Sequence, residues 1–287
     1  MLFIAFWASV CASVCSAAPG RAVTPSPAPL ASRIVTLTPA LGEIVADIAG
    51  NQGISRIVGV SDFTDQPPAL KKAARIASAT QINLEAVVAL KPDLVVASAD
   101  GNSPDQVAHL EELGLKVLVV KSVSLADIED SIGLIGDAMG DPTSGQAALA
   151  RFRAGEEQIR DHAKLRKLHP VVMMEISGDP LIVAGKGSFL NDAIELVGAK
   201  NVFDDLPTGY PRPSVEEAVR RDPDAIVIPS SENPQIHEEI AAWKSRFPKM
   251  KAVVANKVRM VRSDALLRPS PGILQGIIAL EHAIYAR

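Results

Sequence analysis

The residues able to do chemistry are few and scattered along 287 positions. Five histidines (His109, His162, His169, His237 and His282) stand apart, and none shares a loop with a second metal-type ligand. Each reads as a solvated or packed imidazole rather than a metal ligand. The motifs G-x-S-x-G, P-loop and G-x-G-x-x-G are missing. The run Ala184-Gly185-Lys186-Gly187-Ser188 could hold an anion on its amides. The expected reading is a strand-to-helix turn in which glycine supplies a positive φ. The two cysteines, Cys11 and Cys15, lie in the first eighteen residues. No catalytic cluster and no metal site is expected, which leaves binding without reaction as the simplest function. An exported α/β enzyme and a ligand-free sensor domain stay open beside it.

Two acids occupy matching places. Asn83-Leu84-Glu85-Ala86-Val87-Val88-Ala89-Leu90-Lys91-Pro92-Asp93-Leu94 aligns without a gap onto Ser214-Val215-Glu216-Glu217-Ala218-Val219-Arg220-Arg221-Asp222-Pro223-Asp224-Ala225, at an offset of 131. Each copy has an N-cap residue, an acid two positions on, a short helix, Pro-Asp and then a strand. The alignment predicts a duplicated lobe, with Glu85 and Glu216 equivalent.

The elements around them alternate. Continuous apolar runs at 94–97 and 117–120 suit strands buried on both faces of a parallel sheet, as do 33–37 and 57–60. Further strands are expected at 171–176, 225–228 and 258–261. Helices fit 41–48, 104–113, 126–139, 190–197, 215–221, 236–243 and 273–286. Residues 144–167 contain no proline and carry a sparse apolar stripe of Ala148, Phe152, Ile159 and Leu165. Such a helix is about 36 Å long at 1.5 Å per residue, enough to span two lobes as a stiff strut. The expected fold is α/β, with two parallel-sheet lobes (33–142 and 168–287) joined by one long backbone helix (143–167). The crevice between them is the default ligand site.

Composition bounds the rest. The chain is 47% hydrophobic and 22% charged with a formal net charge of -4, which excludes disorder. No block of like charge offers a nucleic-acid surface, and no apolar run in the body reaches the ~20 residues needed to cross a membrane. Residues 1–18 carry no charge and end in small residues, as a secretory signal peptide does, and 19–32 read as a Pro/Ala/Ser linker. Removal of the signal would leave no cysteine, and so no disulfide. A periplasmic location is expected, with a lipid-anchored form as the alternative.

Several segments together carry a resemblance: Gly59-Val60-Ser61-Asp62-Phe63-Thr64-Asp65-Gln66-Pro67-Pro68, Ile82-Asn83-Leu84-Glu85, Leu90-Lys91-Pro92-Asp93-Leu94-Val95, Tyr210-Pro211-Arg212-Pro213-Ser214-Val215-Glu216 and Ser263-Asp264-Ala265-Leu266-Leu267-Arg268-Pro269-Ser270-Pro271. From Arg33 to the C-terminus the chain resembles the class III substrate-binding proteins of ABC importers, the cobalamin, iron-siderophore and haem receptors, and among these it is most similar to the cobalamin branch. The resemblance implies a monomer that delivers a corrinoid to a membrane permease and its ATPase, with no cofactor of its own. Haem or a ferric siderophore is the alternative ligand. It further implies ligand contacts at Phe63, Tyr210 and the loop Asp264, Ala265, Leu266, Leu267 and Arg268, and permease docking through Glu85 and Glu216. Where the family's cobalamin pocket has two tryptophans, Ala79 and Ser98 stand here, so a more open or more polar site is expected.

Overall fold

A computed structural model describes residues 29–78, 81–230 and 235–286. The expected signal segment, most of the linker and Ala79 lie outside the described residues. The N-terminal lobe is a five-stranded parallel sheet of β1 (Ile34–Thr36), β2 (Ile57–Ser61), β3 (Ala74–Ala77), β4 (Leu94–Ser98) and β5 (Val117–Val120), in the order β3-β2-β1-β4-β5. Its helices are α1 (Pro39–Gly53), α2 (Leu84–Ala89), α3 (Pro104–Glu112) and α4 (Leu125–Ala138). The strands are buried on both faces, as continuous apolar runs require: Val35, Val95 and Val96 are fully enclosed. The direction of winding reverses between β1 and β4, so the loops after these strands part and leave a crevice at the carboxyl edge of the sheet.

The connecting helix α5 (Pro142–Lys164) starts on Asp141, whose side chain accepts from the Ser144 amide, with Pro142 at its first position. The expected apolar stripe holds at Ala148, Phe152 and Ile159, which are buried, but Leu165 caps the helix and is 81% exposed. α5 is more than a strut. One apolar core runs from Ile34 and Ile132 in the first lobe through Phe152 and Ile159 to Val172, Ile194 and Ile277 in the second. α4 and α5 touch backbone to backbone where Gly136 faces Gly145; a Cβ on Gly136 would fall 2.6 Å from the Gly145 Cα. No residue with a side chain fits there.

The second lobe contains β6 (Val171–Gly178), β7 (Leu181–Val183), α6 (Phe189–Leu196), β8 (Lys200–Asn201), α7 (Val215–Arg221), β9 (Ala225–Ser230), α8 (Gln235–Arg246), α9 (Lys251–Val254), β10 (Val258–Arg262) and α10 (Ile273–Tyr285). β9 takes one edge of β6 and carries β10 beyond it, both parallel. The other edge of β6 pairs with β8 in parallel and with β7 antiparallel. The lobe is therefore mixed rather than wholly parallel, because residues 179–180 turn the chain straight back alongside β6. The two sheets are separate, and the described residues contain no helix long and apolar enough to cross a membrane.

Candidate functional site

The crevice forms where the carboxyl edges of the two sheets face each other. A cavity of about 360 Å³ is walled on one side by Thr38, Ser98, Asp100 and Ser122, and on the other by Phe189, Tyr210, Leu267 and Arg268. Three loops make the first wall, and polar side chains fasten them together. Thr38 caps α1, accepting from the Leu41 amide at 3.4 Å. Asn102 accepts from the Ser98 amide at 2.8 Å and donates to the Leu37 carbonyl at 3.3 Å, tying the loop after β4 to the loop after β1. Asp100 Oδ2 accepts from the Ser122 amide at 2.9 Å, tying it to the loop after β5. At the base of α4, Ser124 and Asp127 satisfy each other's amides in a capping box.

Tyr210 is held by its flanks. The Gly185 amide donates to the Gly209 carbonyl at 2.9 Å, and the Val183 amide to the Pro211 carbonyl at 3.1 Å. Gly185 must be glycine, since a Cβ would sit 2.4 Å from the Thr208 carbonyl oxygen. The glycine-rich run is thus a turn: Gly187 has φ 82, and Ser188 caps α6. Tyr210 is 48% exposed, and partial burial together with the negative charge of Asp100 pushes its hydroxyl up to about 12. The ring offers the cavity a neutral phenol.

The loop after β10 divides its residues in a way the sequence did not suggest. Asp264 to Leu267 form a single 3₁₀ turn. Leu266 points inward, fully buried against Gly276 of α10, so its side chain cannot reach a ligand in the cleft. Leu267 and Arg268 line the cavity, while Asp264 and Ala265 do not. The i,i+4 spacing allowed an Asp264–Arg268 ion pair, but the 3₁₀ turn sends the guanidinium elsewhere. Arg268 Nη1 donates to Glu43 Oε1 of α1, in the opposite lobe, at 2.7 Å. Ser270 Oγ donates to the other oxygen of Glu43 at 2.5 Å. Glu43 and Ser270 were not among the expected site residues, and no local spacing could reveal a contact across 225 positions.

Phe63 does not line the cavity. It is 72% exposed on the loop after β2, which opens on the same sheet edge as the cavity loops. Arg75 holds that loop by donating to the Ser61 and Thr64 carbonyls at 2.9 and 3.1 Å, and Phe63 sits in the left-handed region at φ 63. A bulky residue rarely adopts that conformation. The ring is thus presented at the rim by a clamped loop. Glu85 and Glu216 are both exposed in the first turns of α2 and α7, and neither lines the cavity. Hydrogen bonds from its own amide and from Ser214 hold the Glu216 carboxyl below its usual range.

Residues 34–265 match the family model described as periplasmic binding protein. The chain belongs to the periplasmic binding protein family. Among its relatives, the vitamin B12-binding protein of Vibrio cholerae serotype O1 is 30% identical over 248 residues, covering 86% of this chain and 87% of that protein. The crystal structure of the periplasmic vitamin B12 binding protein of Vibrio cholerae superposes with a TM-score of 0.77 at 27% identity, covering 88% of this chain and 96% of that one. A periplasmic heme binding protein from Pseudomonas aeruginosa superposes with a TM-score of 0.74, also at 27% identity, covering 89% and 93% of the two chains. Two α/β lobes about a cleft are therefore this family's architecture, and the family's business is holding a solute, not converting one. The described residues of this member contain no group of three His, Cys, Asp or Glu side chains placed to hold a metal ion.

Proposed function

We propose that this chain is the solute-binding component of an ABC importer, which captures a corrinoid between its lobes and hands it to the permease. One observation carries the reading. The inter-lobe cavity joins an aromatic wall residue, Tyr210, an apolar one, Leu267, and a guanidinium, Arg268, in a chain 30% identical to a vitamin B12-binding protein. Tyr210 and Leu267 cover apolar macrocycle surface, and Arg268 donates to amide carbonyls at its fringe. Phe63 lies at the rim, where a flat ligand larger than the cavity would extend. Asp264 and Ala265 contribute through the shape of their turn. Export through residues 1–18 delivers the protein to the periplasm as a monomer.

Glu85 and Glu216 dock the loaded protein. Each is an exposed acid at the same place in its own lobe, so the pair offers two similar anionic points to a permease with basic residues at matching spacing. Haem is the second reading, favoured by the likeness to the Pseudomonas aeruginosa heme binding protein. The test is titration with cyanocobalamin, cobinamide, haemin and a ferric hydroxamate. A dissociation constant below about 10 µM for a corrinoid, or roughly -7 kcal/mol, supports the reading, and tighter binding of haemin or the hydroxamate overturns it. The visible spectrum of the purified protein adds an independent check, since a carried corrin or porphyrin absorbs where polypeptide does not.

A further inference from the structure

Glu43 joins the lobes directly behind the cleft. It lies one turn into α1, and its side chain is only 15% exposed. Its two oxygens are both used: Oε1 takes Arg268 Nη1 at 2.7 Å, and Oε2 takes the Ser270 hydroxyl at 2.5 Å. Ser270 itself is fully buried, so this is a built contact and not a chance meeting of surface chains. Arg268 stays 27% exposed and forms part of the cavity wall. A guanidinium has five N–H donors, and among the described residues Glu43 is the one acceptor bonded to it. The remaining donors are free for a ligand.

The consequence is electrostatic. Among the described residues, Asp100 and Arg268 are the charged members of the cavity lining, and Glu43 stands behind Arg268. The three formal charges leave the cleft net negative. A lone arginine would attract a carboxylate strongly in such a partly enclosed site. With Glu43 bonded to it, that attraction is cancelled while the hydrogen-bond donors remain. A neutral amide carbonyl loses little by the cancellation, and a ligand bearing two carboxylates loses most of what the arginine could offer. We propose that Glu43 is the residue that sets ligand charge class: by neutralising Arg268 it admits carboxamide-fringed macrocycles and disfavours dicarboxylate ones. The proposal rests on the corrinoid reading of the cleft and supplies its selectivity.

Glu43→Gln removes the charge and keeps an acceptor for the arginine. Wild type and variant are titrated with dicyanocobinamide and with haemin, whose propionates carry the charge in question. The ratio of haemin to cobinamide affinity should be about tenfold higher in the variant than in wild type. The haemin gain should shrink as salt rises from about 20 mM to about 300 mM, and should vanish in an Arg268→Gln background. An unchanged haemin-to-cobinamide ratio overturns the proposal. Should the variant not fold, the wild type still decides: its haemin affinity should not fall with added salt, and a fall of about threefold or more would show an uncancelled arginine. Failure of wild type to bind cobinamide overturns the corrinoid reading instead, while the haemin comparison still judges Glu43. Binding of neither ligand to either protein overturns both.

Discussion

Asp93 and Asp224 hold the first strand of their respective lobes by the same device. The Asp93 carboxylate accepts from the Arg33 amide at 3.0 Å, and its own amide donates to the Arg33 carbonyl at 2.9 Å. The Asp224 carboxylate accepts from the Val171 amide at 2.9 Å, and its amide donates to the Val171 carbonyl at 2.8 Å. The positions just before them also agree, since Lys91 and Asp222 are both left-handed, at φ 46 and φ 47. So do the caps: Asn83 accepts from the Ala86 amide, and Ser214 from the Glu217 amide. The repeat is therefore a duplication of backbone hydrogen bonding, and Glu85 and Glu216 are equivalent by construction.

The two clips are not equally loaded. Asp93 also accepts from the Ser32 amide and hydroxyl, both at 2.8 Å. Burial pushes its carboxyl up, but the bonds from Ser32 and Arg33 outweigh that and hold it below the usual aspartate range. Asp93→Ala should cost about 1–2 kcal/mol and Asp224→Ala about 1 kcal/mol or less, read by urea denaturation at pH 7. A lowered pKa stabilises above the unfolded value of 3.8, and the contribution disappears as pH falls through the folded value. The gap between the two variants should therefore close in acid. A larger cost for Asp224→Ala would contradict the assignment.

What could be read from the sequence follows the range of the interaction. Strand runs, caps and the Pro-Asp dipeptide are local, so the runs at 94–97, 117–120 and 215–221 fall on β4, β5 and α7 with little or no shift in their bounds. β3 escaped notice because Arg75 interrupts its apolar run, and β7 because Leu181–Val183 is shorter than the runs that mark a strand. β7 matters most, since it supplies the amide that helps hold Tyr210. The resemblance assigned the whole loop from Asp264 to Arg268 to the ligand, and it could not tell that the 3₁₀ turn buries Leu266 while Leu267 and Arg268 face the cavity. Glu43 looks like any acid on an amphipathic helix until the loop after β10 is brought against α1.

Tyr210 contributes area rather than its hydroxyl. No hydrogen bond to another described residue fixes the phenol, and about half of the residue is open to the cleft. Tyr210→Phe should leave corrinoid affinity within about threefold, and Tyr210→Ala should weaken it tenfold or more, the loss expected when an aromatic wall is removed. Isothermal titration with cobinamide separates the two. A Tyr210→Phe protein as impaired as Tyr210→Ala would assign the work to the hydroxyl.

Glu85 and Glu216 should separate delivery from capture. Both are exposed and lie outside the cavity lining, so Glu85→Ala and Glu216→Ala should bind ligand as wild type does. Uptake in a strain relying on this protein should fall in each single variant and further in the double. Rim charges act mostly on encounter, so the loss should appear in the on-rate for detergent-solubilised permease and grow smaller at high salt. Equal losses of ligand affinity and uptake would place these acids in the cleft's chemistry instead.

Glu175 makes the stability of the second lobe depend on pH. It lies fully buried in β6, where Oε2 accepts from Trp243 Nε1 at 2.6 Å and Oε1 has no hydrogen-bond partner among the described residues. Burial pushes its carboxyl up to about 7, against the indole bond and with help from the negative charge of Glu239. Unfolded, the group ionises near 4.5, so between pH 4.5 and about 7 the folded chain binds the extra proton. Stability must then fall as pH rises through that window and level off above it. Glu175→Gln keeps an oxygen for the indole and never ionises. It should match wild type near pH 4 and exceed it by up to about 3 kcal/mol at pH 8, measured by urea denaturation across the range. Glu156 of α5, pushed up to about 7 by burial and by the adjoining Glu129, imposes a second fall over the same window. That fall is common to both proteins, so the difference between them isolates Glu175. A difference that stays constant from pH 4 to pH 8 would mean that the buried carboxyl keeps one ionisation state throughout.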